Sequence, residues 1–367
     1  MIKIEKAHLE IAAASHAGMT GKKNEDRYGV TPFLTSQKDQ TPSVLALLCD
    51  GIGGHRAGEV AAHMGVSIIT ETVAASDGSQ PLKTLEQAIK RANHAIYEAS
   101  LTDQGRKGMG ATCACAWVIG DRLYTANLGD SRIYLLRERH ILQLSTDHTW
   151  IQEAFDAGVI DETEGEVHPN AHVIRRYLGS PTPPHPDFRL WFFEGEGDAE
   201  ALDNQGLPLA PGDIVLVCSD GLTDLVSDDE IRVMVKANPL EAVPKALIDL
   251  ANARGGHDNI TVITVGVPTR PAQALRKPRK RRWLVGCLTV LALLLVLAGA
   301  VYFRGRWWGS RVILTVTPSP TITQPPPTQI PVEIQLTPTP TVTPTSLEGL
   351  PTPRPTLTPW PTHTLAP

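Results

Sequence analysis

Three apolar, β-rich runs in this chain end on an acidic residue set beside a glycine. Residues 44–49 (VLALLC) run into Asp50-Gly51, residues 214–218 (IVLVC) into Ser219-Asp220-Gly221, and residues 123–128 into Gly129-Asp130-Ser131-Arg132. A fourth cluster, Gly255-Gly256-His257-Asp258-Asn259, opens the last apolar run at 260–267, and a fifth, Asn24-Glu25-Asp26, precedes Arg27-Tyr28. Strand ends hold side chains rigidly, and glycine lets a backbone carbonyl or a ligand come close. One Asp-Gly pair is ordinarily a turn; five acidic clusters of this kind are more than turns require. Carboxylates gathered without matching bases repel strongly, so a fold that brings these ends together calls for hard divalent cations. Oxygen-only ligands point to Mg²⁺ or Mn²⁺ rather than zinc.

Charge and composition divide the chain. Residues 1–268 hold 23 Lys+Arg against 37 Asp+Glu, a net −14, whereas residues 269–367 hold 11 against 2, a net +9. An acidic region of that size repels nucleic acid, which is excluded as a partner. The five cysteines (Cys49, Cys113, Cys115, Cys218, Cys287) form no C-x-x-C pair, so neither a disulfide scaffold nor a cysteine-rich zinc site is expected. Cys113 and Cys115, two apart in a strand, face one side as small buried fillers. No G-x-S-x-G elbow, Walker A loop or H-E-x-x-H occurs. His168 and His172 flank Pro169 and are read as a loop pair.

Residues 1–268 are expected to carry the fold. Strands are predicted at 44–49, 113–119, 123–128, 132–136, 214–218 and 260–267. Helices are predicted at 58–75, 82–99, 149–157 and 239–253 from apolar spacings of three and four. Strands come as hairpin-like neighbours, which argues α+β with antiparallel pairing. Residues 269–282 read as a basic juxtamembrane linker. Residues 283–303, 21 residues without a charge, match the ~20 needed for a transmembrane helix. Seven basic residues before this stretch and three after it predict a cytoplasmic N-terminal domain and a single-pass protein. Residues 304–367 are then a disordered, extracytoplasmic tail. From residue 312 onward the chain has 15 Pro and 15 Thr in 56 residues, a composition that favours extended backbone without a packed core.

Taken in order, Asn24-Glu25-Asp26, Asp50-Gly51-Ile52-Gly53-Gly54-His55 with Gly58-Glu59, Gly108-Met109-Gly110-Ala111-Thr112, Gly129-Asp130-Ser131-Arg132, Asp147-His148, Ser219-Asp220-Gly221-Leu222 and Asp258-Asn259-Ile260-Thr261 resemble the motifs of the protein phosphatase 2C family. The resemblance spans roughly residues 8–268 and is nearest to the bacterial branch, here in a membrane-anchored form. It implies a four-layer α-β-β-α sandwich with two central, mostly antiparallel sheets and a site for two Mn²⁺ or Mg²⁺ ions at one edge. By carry-over, Asp50 bridges both metals, Gly51 gives its backbone oxygen, and Asp220 and Asp258 ligate the second metal. Glu25 and Asp26 hold metal-bound waters, and Asp130 helps bind a third, weaker metal.

The implied activity is hydrolysis of phosphoserine and phosphothreonine on proteins by a two-metal-activated water. Phosphorylated proteins, a membrane Ser/Thr kinase among them, and membrane lipid are the implied partners. The alternative is a catalytically weak phosphoprotein-binding or sensing module with a membrane anchor. Two positions depart from the family pattern. Many members carry Arg at the place of Gly21, where it grips the phosphate; Lys22 and Lys23 follow here and are the substitute phosphate-binding residues, with Arg27 or Arg175 as the alternative. Animal members have His at the place of Ile52, where bacterial members are apolar.

Overall fold

In the computed structural model, which describes residues 1–269 apart from 37, 53–56, 161–167, 171 and 194, the apolar runs become strands of two sheets. The strands are β1 (Ile2–Lys3), β2 (Glu10–His16), β3 (Arg27–Leu34), β4 (Pro42–Cys49), β5 (Gly51–Ile52), β6 (Gly110–Ala111), β7 (Cys113–Ile119), β8 (Arg122–Leu128), β9 (Arg132–Arg137), β10 (His140–Gln143), β11 (Leu207–Pro208), β12 (Ile214–Cys218) and β13 (Ile260–Gly266). The first sheet has the order β1-β3-β4-β7-β8-β11 and the second β10-β9-β12-β13-β2, with β5-β6 a short separate pair. Neighbouring strands pair antiparallel throughout, so α+β with two antiparallel sheets is the fold.

The unbroken apolar character of VLALLC follows from burial on both faces, since side chains alternate along a strand. From β4, Ala46 and Leu48 join Ala114, Ala116 and Val118 of β7 against Ile133, Leu135, Val215, Val217, Ile263 and Val265 of the second sheet. The alternate residues Leu45, Leu47 and Cys49 face the other way, with Cys113, Cys115 and Trp117. That outer face is covered by α1 (Ala57–Ala75) and α2 (Pro81–Thr102). Helix α1 presents Ala61, Gly65, Ile69 and Val73 at four-residue spacing, and α2 presents Leu85, Ala88, Ile89, Ala92 and Ile96. The outer face of the second sheet packs Tyr134, Leu216, Cys218 and Val262 under the helices Asp228–Ala237 and Val243–Ala253. Four layers result.

Strand register brings the acidic clusters together. In the first sheet Arg27 faces Cys49, and Cys113 faces Leu128, so Asp26, Asp50, Thr112 and Gly129 all lie just beyond one row. In the second, Cys218 lies between Arg132 and Val262, so Ser131, Ser219 and Thr261 lie at the corresponding end. Hydrogen bonds from Ser219 and Thr261 to Asp26 show that the two ends meet.

Seven strands escaped the sequence reading: the short β1, β5, β6, β10 and β11, and the two long ones, β2 and β3. β2 is alanine-rich (EIAAASH), and β3 contains Gly29 and Pro32, so neither has the β-branched density that marks a strand. The predicted helix at 239–253 is a 3₁₀ turn, Leu240–Ala242, leading into Val243–Ala253, with Pro244 tolerated in the first turn.

The transmembrane expectation is corrected. Among the described residues no helix is long and apolar enough to cross a membrane. Helices α1 (19 residues) and α2 (22 residues) reach the length of a span. Yet α1 carries Glu59 and Glu71, α2 carries Lys83, Glu86, Lys90, Arg91 and Glu98, and both spend their apolar stripes on the first sheet. Residues 270–367, which include the expected span 283–303 and the tail, lie outside the described residues. The membrane-anchored subtype, the single-pass location, the extracytoplasmic tail and the contact with lipid are therefore dropped.

Burial of β4 on both faces is directly testable. Leu47 and Leu48 are both fully buried, one under the helices and one between the sheets. Leu47→Ala and Leu48→Ala should each cost about 2–5 kcal/mol in urea unfolding. A strand half-exposed to water would show that loss at only one of the two.

Candidate active site

Asp50 leaves β4 under tight backbone control. Its N–H donates to Thr112 Oγ1 at 2.9 Å, and its carbonyl accepts from Thr112 N–H at 2.8 Å. Gly51 then opens β5, pressed against the start of α1: a Cβ there would stand 2.4 Å from the Gly58 carbonyl carbon and 2.9 Å from the Glu25 oxygen. Only glycine fits that approach. Asp220 begins the short helix Asp220–Thr223 directly after Ser219, and Gly221 is held so close that a Cβ would lie 2.1 Å from the Asn259 carbonyl oxygen.

Asn259 ties the two sheet ends together. Its Oδ1 accepts from Glu25 N–H at 2.7 Å, its side-chain amide donates to the Ala17 carbonyl, and its own N–H donates to Asp258 Oδ1 at 2.8 Å. Asp26, 2% exposed, accepts through Oδ2 from Ser219 Oγ at 2.9 Å and Thr261 Oγ1 at 2.6 Å.

Asp50, Gly51, Asp220, Asp258, Glu25, Lys22 and Lys23 line one cavity of about 760 Å³, together with Thr20, Gly21, Ile174 and Asn259. Two of the expected ligands stand back from it. Asp26 lies buried behind Asp50, where its charge acts on the Asp50 carboxyl. Asp130, 6% exposed, occupies the β8–β9 turn, where its charge acts on both Asp50 and Asp220.

These carboxylates strain against one another. Burial first, then the charges of Asp26, Asp220 and Asp130, push the Asp50 carboxyl well above its usual range. Asp220 is raised likewise by burial and by Asp130, Asp224 and Asp258. Burial pushes Asp130 up to about 7, helped by Asp147 and Asp224. It pushes Asp26 up to about 6 despite the hydrogen bonds from Thr261 and Ser219.

The buried oxygens Asp26 Oδ1, Asp130 Oδ1 and Asp220 Oδ1 have no hydrogen-bond donor. Buried acceptors left this way fit hard cations. The protein side chains do not complete a shell unaided: among the described residues, no group of three or more His, Cys, Asp or Glu is arranged to hold an ion. Mg²⁺-like ions bind through one or two carboxylates and keep several waters, so a carbonyl such as that of Gly51 and solvent complete such a set.

Basic residues frame the mouth. Lys22 Nζ lies 3.4 Å from Asp258 Oδ2, and Lys23 pairs with Glu59. Gly21 has φ +75° with nothing within 4 Å of where a Cβ would stand. Neither alternative clamp lines the cavity: Arg27 is held by Glu59 and the Asn24 and Asp26 carbonyls, and Arg175 pairs with Glu153 at 3.0 Å. Sequence reasoning assigned no role to Thr112, Ser219, Asn259, Thr261 or Asp224. Ser219, Asn259 and Thr261 share motifs with the acidic residues, and that adjacency is the available signal; Thr112 closes the separate motif 108–112, which has no acid.

Residues 14–243 match a family model described as protein phosphatase 2C. The serine/threonine phosphatase stp of Listeria monocytogenes is 34% identical over 247 residues, covering 66% of this chain and 89% of that protein. The protein phosphatase PhpP of Streptococcus pneumoniae is 29% identical over 269 residues, 72% of this chain and 100% of that protein. Among solved structures, the serine/threonine phosphatase of S. agalactiae superposes with a TM-score of 0.61 at 32% identity, covering 71% of this chain and 99% of that one. The catalytic domain of the phosphatase PstP, in complex with two manganese ions, gives a TM-score of 0.57 at 31% identity, over 71% and 98%.

The raised carboxyls give a test that needs no substrate. Without cations, Asp130 and, in smaller part, Asp26 hold protons near pH 6.5, and a cation binding beside them must displace them. Calorimetric titration with Mn²⁺ in buffers of different ionisation enthalpy should show proton release at pH 6.5 that declines as the pH is raised to 9. Binding with no proton release at pH 6.5 would contradict the crowded-carboxylate arrangement.

Proposed function

The chain belongs to the protein phosphatase 2C family and is a metal-dependent protein-serine/threonine phosphatase; from that premise we propose which of its residues do the work. Asp50 would hold both of two divalent cations, Mn²⁺ or Mg²⁺, with the Gly51 carbonyl on one, and with Asp220 and Asp258 on the other. Glu25 and Asp26 would hold waters of the shell, and Asp130 would serve a third, weaker ion together with Asp220. When bound, such a cation pair acidifies a water for attack on phosphorus and offsets charge on the phosphoryl oxygens.

The cavity that Asp50, Asp220 and Asp258 share with Lys22 and Lys23 carries this reading. PstP, similar to this chain over most of its length, binds two manganese ions, which supports the same number here. The remaining tasks fall to the chain itself. Asp26 is fixed by Ser219 and Thr261, so its free Oδ1 keeps one direction. Asn259 holds Glu25 and Asp258 in register across the two sheets. Lys22 and Lys23, with side chains 56% and 60% exposed, reach into the cavity mouth as mobile point charges for the phosphate. They replace the planar two-pronged grip of an arginine. The alternative of a binding or sensing module is set aside by the same matches, which are phosphatases by name.

Asp50→Asn should abolish Mn²⁺-dependent release of phosphate from a phosphothreonine peptide while leaving the melting curve of the metal-free protein in place. The loss should exceed the ~10–100-fold that removal of an outer-shell partner costs. Substantial activity in that variant would remove Asp50 from the centre of the site. Lys22→Ala and Lys23→Ala should each raise KM for the peptide up to about fivefold, the scale of an exposed charge pair of ~1 kcal/mol, with kcat little changed. Unchanged KM in both would place the phosphate grip elsewhere.

A further inference from the structure

His148 lies 19 residues beyond Gly129 of the β8–β9 turn in sequence, yet it holds that residue by both its N–H and its carbonyl. The Gly129 N–H donates to His148 Nδ1 at 3.1 Å, and the His148 N–H donates to the Gly129 carbonyl at 2.9 Å. Because Nδ1 accepts, the neutral ring carries its proton on Nε2. That atom lies 3.2 Å from Asp187 Oδ2, so the proton points at a carboxylate. The residue is 4% exposed, and both ring nitrogens have protein partners.

Asp187 is itself immobilised. Its backbone exchanges both hydrogen bonds with Asn127 at 2.9 and 3.0 Å, and its carboxylate is gripped by Arg189 Nε and Nη2. Burial works against its charge, but hydrogen bonds from His148 and Arg189 prevail and hold the carboxyl below the usual carboxylate range. On the opposite side, Gly129 (φ +100°) is pressed onto Thr112, where a Cβ would stand 2.6 Å from Thr112 Cγ2. Thr112 bonds Ser131 and Asp50. Asp130 therefore sits in a turn clamped between Thr112, which also holds the Asp50 backbone, and a buried His–Asp pair.

We propose that His148 is the positioning residue for Asp130, and that Asp187 selects the imidazole tautomer able to do it. The inference rests on the reading of Asp130 as a metal ligand. With Asp187 gone, the ring gains access to its other tautomer, whose Nδ1–H would face the Gly129 N–H, donor against donor. The turn would then loosen, and Asp130 would lose its fixed direction.

The experiment is a double-mutant cycle on the full-length chain, read by calorimetric or electron-spin-resonance titration of Mn²⁺ alone, with thermal melts beside it. Asp130→Ala should remove the weakest Mn²⁺ site; if it does not, the ligand reading fails and not the positioning. With that site confirmed, His148→Leu and Asp187→Ala should each weaken it about tenfold. Asp187→Asn, whose amide oxygen still accepts from Nε2–H, should stay within about twofold. In the Asp130→Ala background His148→Leu should change the tighter Mn²⁺ binding no further. Wild-type affinity at the weak site in His148→Leu or Asp187→Ala would overturn the proposal. So would an equal weakening of every site in both backgrounds, the mark of a purely structural histidine. Should His148→Leu not fold, the contrast between Asp187→Ala and Asp187→Asn decides in the same way, since a merely structural pair would not be rescued by the amide.

Discussion

Mutual repulsion among buried carboxylates is the constraint around which the rest of the structure is arranged. Asp26, Asp50, Asp130 and Asp220 are all held above their ordinary carboxyl range, first by burial and then by neighbouring carboxylates, Asp147, Asp224 and Asp258 among them. Such a cluster is tolerable only on a scaffold stiff enough to keep it from relaxing. The sandwich supplies that stiffness through a core that is buried continuously from one helical layer to the other. Stability built up in those layers offsets an arrangement that is useful only when cations share it.

Close approach does the local work. Glycines at 51, 58 and 221 let backbone meet backbone at distances no side chain allows. Hydroxyls at Ser219 and Thr261 hold one oxygen of Asp26 and leave the other free. The same device recurs at Asp130, whose turn is fixed by Thr112 on one side and His148 on the other. In each case the acidic residue is steered by uncharged neighbours, so the negative charge stays available to a ligand instead of being consumed in an ion pair. Away from the site, acids of comparable burial are treated differently: Asp213 is paired with Arg137, and Asp187 with Arg189.

In the proposed function, glycine at position 21 bears on how substrate is met rather than on how the site is built. Lys22 and Lys23 are exposed and only loosely engaged with Asp258 and Glu59. In the proposed reading, an ammonium on a flexible stem gives attraction without fixed geometry, and orientation of the phosphate would come mainly from the cations.

Read from the sequence alone, apolar runs broken by Asp-Gly established the strands that matter, because a strand buried on both faces leaves an unmistakable run. Cys113–Ile119 and Ile214–Cys218 were placed to the residue. The acidic clusters, being local, were equally legible. What was hidden had tertiary causes. β2 and β3 form although their composition is poor for strands, because neighbours in the sheet supply their hydrogen bonds. The apolar run at 283–303, expected as a membrane span, lies outside the described residues, and among those residues no helix is long and apolar enough to cross a membrane. That Asp26 lies behind Asp50, that Asn259 links Glu25 to Asp258, and that His148 reaches back to Gly129 are facts of register between segments up to 234 residues apart. Sequence determines which residues can bear charge at a strand end. Only the packing of the two sheets decides which of those ends meet, because that depends on side chains interlocking across the core and not on any local pattern.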